Sequence, residues 1–424
     1  MLTAVVGVNW GDEGKGRMVD LLSAGADIVA RYQGGNNAGH TVVNEKGKFI
    51  LNLLPSGILR EGTVNVMGTG MVIDIEHLRH ELEHLAERGI SVSPARLVIS
   101  DRATICMPYH RELDGLEEDR LADHKFGSTR RGIAPVYADK YMKKALRMGD
   151  LLHTEGLRER VREIVEWKNL TLSSYGHTAD SDEMYDWLMT NGEVLLPYIK
   201  DASEYLSRAI DAGRSVMFEA QLGALRDIDY GIYPYTSSSN TLAAYAPIGA
   251  GVPGRKLDRV IGIMKAYSSC VGAGPFTTEL FGEEAEELRK RGGDRGEYGA
   301  KTGRPRRVGW FDCVATRYGC QMQGATEVAL TNMDVLGYLD EIPVCIAYMC
   351  DGERIDRFPV TPKLERCTPV YVTLPGWKCD TRGIRSFADM PENARRYVEF
   401  LEEQIGCPIR MVSNGPRREE MMYR

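Results

Sequence analysis

No apolar run in this sequence approaches the roughly 18 residues needed to cross a bilayer. The opening residues, Met1-Leu2-Thr3-Ala4-Val5-Val6-Gly7, lack the basic n-region and cleavage site of a secretory signal. Cations are not in excess: 53 Lys and Arg against 60 Asp and Glu leave a net charge of −7, so nothing marks nonspecific nucleic-acid binding. The expectation is a cytoplasmic protein with no membrane and no nucleic-acid partner. The nine cysteines are scattered without a C-x-x-C pair, which reads as reduced thiols rather than a disulfide framework or zinc site. No repeat, low-complexity tract or Pro/Ser-rich linker divides the 424 residues, so 1–424 is expected to be one domain.

Glycine, by contrast, is abundant. The 45 glycines exceed the usual share of about 7% and suggest loops whose backbone turns sharply or approaches a ligand. Ala4-Val5-Val6-Gly7-Val8 is apolar without alternation, as expected of a strand buried on both faces of a parallel sheet. Similar runs recur at Ser215–Phe218, Val260–Ile263, Val328–Leu330 and Val344–Ala347. Between them lie amphipathic helical patterns: Ile75, Leu78, Leu82 and Leu85 after an Asp74 cap; Leu157, Val161, Ile164 and Val165; and Ala394, Tyr397, Val398, Leu401 and Ile405. The predicted class is α/β, with a large, mostly parallel central sheet flanked by helices and carrying long ligand-binding loops.

Four segments have the composition of a site. Gly7-Val8-Asn9-Trp10-Gly11-Asp12-Glu13-Gly14-Lys15-Gly16-Arg17 leaves a buried strand and enters an apolar helix pattern, so its N–H groups and Lys15 can face a phosphate. It is not a Walker A loop. The spacing is too long, and Gly16 replaces the hydroxyl that would hold magnesium, leaving Asp12 as the candidate oxygen. Arg31–Thr41 combines Gly34-Gly35, Asn36-Asn37 and His40, a mix suited to polar ligands and to acid or donor chemistry. Gly299–Arg307 sets Lys301, Arg304, Arg306 and Arg307 among glycines, an anion site in an acidic protein. Asp334, in Thr331-Asn332-Met333-Asp334, follows a strand end and can accept from guanine's N1–H and 2-amino group, a donor pair that adenine lacks. The hydroxyl run Thr236–Ser239 suits a phosphate. His77, His80 and His84 share a helical face, but Glu76, Glu81, Glu83 and Glu87 around them read as a solvated charged surface.

Taken together, these motifs resemble the adenylosuccinate synthetase family. The resemblance runs the length of the chain and includes Trp10–Gly16, Gly34–Thr41, Leu54–Ile58, Arg131–Ile133, Lys265–Tyr267, Val271–Phe276 and Leu374–Trp377. It implies GTP-dependent joining of IMP to L-aspartate through a 6-phosphoryl intermediate. Asp12 and His40 would be catalytic, with one Mg²⁺ on Asp12 and the Gly39 carbonyl. GTP would contact Gly11, Asp12, Glu13, Gly14, Lys15, Gly16, Arg17, Gly39, His40, Thr41, Arg306, Asn332, Met333, Asp334, Ser413, Asn414 and Gly415. IMP would lie against Asp12, Glu13, Gly14, Lys15, Asn37, Ala38, Gly39, His40, Thr129, Ser237 and Arg304. Aspartate would meet Ala300, Lys301, Thr302, Gly303, Arg304, Pro305 and Arg306. A homodimer is implied, with Lys143 in place of the arginine that a dimer mate usually donates.

The chain departs from the family pattern at several further positions. Asn332 stands where a lysine stem usually stacks on guanine. Leu222 replaces an IMP-binding glutamine, with Gln221 one residue away; Arg130 replaces a glycine, and Lys301 a common threonine. Two other readings use the same motifs: the same chemistry on a 2-amino purine nucleotide such as dGMP, and a GTP-binding regulatory module without ligase activity.

Overall fold

The computed structural model describes residues 1–44, 47–292, 296–298, 303 and 305–424. The strands of its central sheet are β1 (Leu2–Gly7), β2 (Ile28–Arg31), β3 (Val64–Met67), β4 (Leu97–Ser100), β5 (Ile199–Lys200), β6 (Val216–Gly223), β7 (Arg259–Lys265), β8 (Glu327–Thr331), β9 (Ile409–Ser413) and β10 (Met421–Tyr423). They lie side by side in the order β10-β9-β8-β7-β1-β6-β2-β3-β4-β5. Every neighbouring pair is parallel except β9–β10. The expected parallel α/β fold is therefore present.

The run Ala4-Val5-Val6 is apolar throughout because both of its faces are covered. Val5 packs with Met18 and Val19 of helix α1 (Lys15–Leu22), while Ala4 and Val6 pack with Phe218 and Ala246 on the opposite face. Helix α2 (Ile75–Glu87) starts where Asp74 accepts the His77 N–H, and it buries Ile75, Leu78 and Leu85. Helices α3 (Pro108–Arg120), α4 (Ile133–Met142), α5 (Leu157–Leu172), α6 (Cys313–Gln323) and α7 (Glu392–Ile405) follow. The apolar stripes predicted for α5 and α7 are buried.

Three expectations are corrected. Val344–Ala347 does not enter the central sheet; it belongs to strand Glu341–Cys350, which pairs antiparallel with Cys367–Pro375 in a smaller sheet. That pairing sets Cys350 opposite Cys367 with Cα atoms 4.3 Å apart, and the two form a disulfide. Facing cysteines of adjacent strands meet the geometry of a bridge, which a scattered sequence pattern does not reveal. Glu81 is buried rather than solvated: its carboxylate accepts the N–H groups of Asn52 and Leu53. His77, on the same helix, contacts Asn52 Oδ1 at 3.0 Å. Among the described residues no cluster of His, Cys, Asp or Glu is arranged to hold a metal, and no helix is long and apolar enough to cross a membrane.

A buried ionic knot ties α3, α4 and α5 together. His110 Nε2 lies 2.8 Å from Asp139, and Lys168 Nζ reaches the same carboxylate at 2.7 Å. His110 Nδ1 accepts the Met107 N–H at 2.9 Å, fixing the tautomer with Nε2 protonated. Burial holds the His110 pKa below the ordinary 6.5, against the pull of Asp139. The unfolded chain therefore takes up this proton first. The stability tied to neutral His110 is complete above pH 6.5 and is lost as pH falls below it. Thermal melting should show a lower midpoint at pH 5.5 than at 7.5, with a slope of up to about 1.4 kcal/mol per pH unit from this group. His110→Gln should be less stable at neutrality and less sensitive to acid; an unchanged slope would exclude His110 as its source.

Candidate functional site

The site is built where the parallel strands end. The carboxyl ends of β1, β2, β6, β7, β8 and β9 emit the loops that carry the motifs, which is where open α/β sheets bind ligands. At the end of β1 the Glu13 side chain accepts the N–H groups of Asn9 and Gly11, at 3.1 and 2.8 Å. Its other oxygen meets Lys15 Nζ at 2.7 Å, with both side chains buried. Gly14 caps α1 in the left-handed region (φ 90°) and has no side chain with which to cap that helix terminus. The positive end of α1 thus lies beside Lys15, an anion-binding arrangement.

His40 begins the strand His40–Asn44 and is buried. Its Nδ1 lies 2.5 Å from Glu219 Oε1, on β6. Glu219 has no exposed surface and also accepts the Ser56 N–H and hydroxyl, at 2.7 and 2.6 Å. Burial lowers the His40 pKa more than Glu219 raises it. Burial raises that of Glu219, but His40, Arg31 and Ser56 outweigh it and keep the carboxylate ionised. Neutral His40 thus directs Nδ1–H at Glu219 and a lone pair on Nε2 away from it. Gly16 is required beside it: a Cβ there would lie 2.6 Å from the His40 Cβ.

The loop before His40 is held from below. Arg31, fully buried, donates to the Asn52 carbonyl at 2.5 Å and the Gly35 carbonyl at 3.4 Å. Asn36 donates to Asp74 at 3.0 Å, and Asn52 to the Ala38 carbonyl at 2.6 Å. Asn37 accepts the Gly35 N–H and stays half-buried, while Gly39 is exposed. Thr41 is also half-buried.

Asp12 (φ 65°) faces Arg306, whose Nε lies 2.5 Å from Oδ2. Arg306 also reaches Glu297 at 2.8 Å, and Glu297 binds Lys265 at 2.6 Å and the Tyr267 hydroxyl. Burial opposes the charge on Glu297, but Lys265 and Arg306 prevail and its pKa is pushed down to about 2. Asn332 joins the same network, donating to the Tyr267 hydroxyl at 3.1 Å from a left-handed backbone (φ 62°). Burial raises the Asp12 pKa, with Lys265 and Arg306 in opposition.

At the ends of β8 and β9, Arg17 donates to Ser413 Oγ at 3.1 Å. Ser413 and Asn414 are buried, and Gly415 is packed against Glu420. Met333 is buried and Asp334 half-buried; burial raises the Asp334 pKa, with Arg382 and Arg17 opposing. Ser237 Oγ pairs with Ser239 Oγ at 2.9 Å, whereas Thr129 is exposed on the loop between α3 and α4. Of the predicted aspartate-binding residues, Gly303, Pro305 and Arg306 are described; Ala300, Lys301, Thr302 and Arg304 lie outside the described residues.

A bulge lies at the Gln221-Leu222 departure. Val5 pairs with Glu219 but Gly7 pairs with Gly223, so β6 carries extra residues at this point. The bulge turns Gln221 inward, where its Nε2 donates to the Gly35 carbonyl at 2.6 Å, and leaves Leu222 half-buried at φ 59°. Glu219, Lys265 and Glu297 were not singled out as site residues by the sequence analysis. The available signal was position: Lys265 ends β7, and Glu219 directly follows the apolar run Ser215–Phe218, in the two strands beside β1.

The fold and these converging loops define a nucleotide-dependent α/β enzyme. The family model for adenylosuccinate synthetase matches residues 4–422. The adenylosuccinate synthetase of Streptococcus sanguinis (strain SK36) is 46% identical over 419 residues, and that of Streptococcus gordonii (strain Challis) is 45% identical. Both alignments cover 98% of this chain and 96% of the relative. A fully ligated adenylosuccinate synthetase from Plasmodium falciparum matches with a TM-score of 0.92 at 32% identity, covering 100% of this chain and 99% of that one. The chain belongs to the adenylosuccinate synthetase family, GTP-using ligases of purine biosynthesis. The succinoaminodeoxyadenylate synthetase of cyanophage S-2L, bound to dGMP and dATP, shares the fold at a TM-score of 0.62 and 18% identity, with coverage of 100% and 95%.

Glu219 can stabilise an imidazolium on His40 only while it is charged. Glu219→Gln should lower kcat roughly 10²-fold with substrate KM values changed much less. Steady-state kinetics on the folded variant check this; an unaltered kcat would remove Glu219 from the catalytic apparatus.

Proposed function

We propose that this protein joins IMP and L-aspartate at the expense of GTP, giving adenylosuccinate, GDP and phosphate. The observation that carries this reading is a pair of poised groups on the loops that leave β1 and β2: half-buried Asp12 against Arg306, and buried His40 on Glu219. Asp12 takes the N1 proton of IMP, so the 6-oxygen attacks the γ-phosphate of GTP. Burial raises the basicity of Asp12, the direction a proton acceptor needs. The incoming phosphate charge favours protonation of His40, with Glu219 stabilising the imidazolium, and Nε2–H then donates to the phosphoryl group. The amine of aspartate displaces the 6-phosphoryl group, which leaves as phosphate.

Lys15 and the start of α1 hold phosphate oxygens, and Arg306 with the neighbouring loop holds aspartate carboxylate. Asn37, Thr129 and Ser237 hold IMP. Asp12 Oδ2 is buried and contacts the Arg306 guanidinium, and a carboxylate oxygen is the donor type a hard cation takes. Asp12 and the Gly39 carbonyl would hold Mg²⁺, which when bound neutralises charge on the phosphates of GTP. Asp334 reads guanine, with Ser413–Gly415 closing that pocket. A homodimer completes the reading. Lys143 ends α4 at φ 61° beside exposed Tyr141 and Met142, an apolar patch suited to a second copy.

Phosphate release from GTP and Mg²⁺ tests the assignment. Release should require both IMP and aspartate, and dGMP should not replace IMP. Release supported by dGMP alone would move the substrate to the 2-amino purines, and release independent of any nucleotide acceptor would refute a ligase. His40→Ala should abolish turnover while GTP still binds in calorimetry; retained turnover would sink the role given to His40. Asp334→Asn should raise the KM for GTP roughly tenfold or more by removing a charged hydrogen-bond acceptor, and an unchanged KM would show that guanine is read elsewhere.

A further inference from the structure

Arg226 lies outside the site residues named above, yet it is 7% exposed and bonded to two loops at once. It ends the turn Ala224–Arg226 that follows β6. Its Nη1 donates to the Tyr235 carbonyl and, at 3.1 Å, to the Ala273 carbonyl. Its Nη2 donates to the Val271 carbonyl at 2.6 Å and contacts Cys270 Sγ at 3.0 Å. Its own carbonyl accepts the Ser237 N–H at 2.9 Å. The Val271–Gly274 loop held in this way supports a third segment. Ala273 N–H donates to the Phe126 carbonyl at 3.3 Å, the Phe126 ring meets Tyr235 edge-on at 5.9 Å, and Gly127 packs on Gly272. Thr129 is two residues beyond Gly127.

One guanidinium therefore fixes the loop of Ser237 directly and that of Thr129 through Ala273. The charge balance points the same way. Arg307 grips the same loop through the carbonyls of Gly272 and Gly274, at 3.2 and 2.8 Å, but it is paired with Glu279. Among the described residues no carboxylate pairs with Arg226; its partners are carbonyls and a thiol. A buried cation with only neutral partners favours an anion arriving nearby.

We propose that Arg226 is a positioning residue for the phosphate of the nucleoside monophosphate, setting the separation of Thr129 and Ser237 and adding uncompensated positive charge. The inference rests on the reading of those two residues as IMP ligands.

Calorimetric titration of the full-length protein with IMP, alongside steady-state kinetics, tests it. Arg226→Met should weaken IMP binding at least tenfold and leave the KM values of GTP and aspartate within twofold. Arg226→Lys should fall between, because an ammonium keeps the charge but cannot span four acceptors. Ser237→Ala should cost less affinity in the Arg226→Met background than in the wild type, since the two act through one contact. If Arg226→Met fails to fold, Phe126→Ala carries the test: its side chain is 42% exposed, and it should weaken IMP binding selectively. IMP affinity within twofold of wild type in a folded variant, or an equal loss for IMP and GTP, overturns the inference alone. A wild type that binds no IMP removes the reading beneath it as well.

Discussion

The Glu219 carboxylate is the constraint on which the site turns. It has no exposed surface, so its charge must be met inside the protein. His40, Ser56 and the nearby Arg31 meet it, and each belongs to a different segment. The parallel register makes this possible: Glu219 pairs with Val5 on one side and Arg31 on the other, which sets it between the loops leaving β1 and β2. The histidine loop and the Ser56 turn are thereby brought to a common anion, and the glycine-rich loop joins them where Gly16 packs on His40. A carboxylate behind a neutral imidazole also keeps His40 ready to become a cation when phosphate charge arrives.

A second buried carboxylate plays the matching part across the site. Glu297 gathers Lys265, Arg306 and the Tyr267 hydroxyl, and its pKa near 2 keeps it charged in any functional range. Through Arg306 it touches Asp12, and through Tyr267 it touches Asn332. Asn332, which departs from the family's lysine, therefore has a structural task here: in a left-handed backbone it closes a hydrogen-bond chain through Tyr267, Glu297 and Arg306 to Asp12.

Much of this was legible in the sequence because its causes are local. A strand without alternation entering Gly11–Gly16 specifies a buried strand and a glycine-rich turn into a helix, and the apolar stripes of α5 and α7 specify their buried faces. What was not legible depends on residues far apart in the chain. His40 and Glu219 are 179 positions apart, and nothing near either one announces the other. The bulge that turns Gln221 inward exists only relative to β1. Glu81 looked solvated among its charged neighbours because its partners, two backbone N–H groups, come from a distant loop. The Cys350–Cys367 bridge depends on strand register in the same way.

The central claim is that the geometry around Asp12 and His40 passes the γ-phosphoryl group of GTP to the 6-oxygen of IMP, so that this oxygen departs as part of the phosphate. IMP labelled with oxygen-18 at that position tests it directly, by mass spectrometry of the phosphate released in the presence of GTP, Mg²⁺ and aspartate. The account predicts that the label leaves the purine and appears in the phosphate. Phosphate free of label, with adenylosuccinate formed, would contradict it.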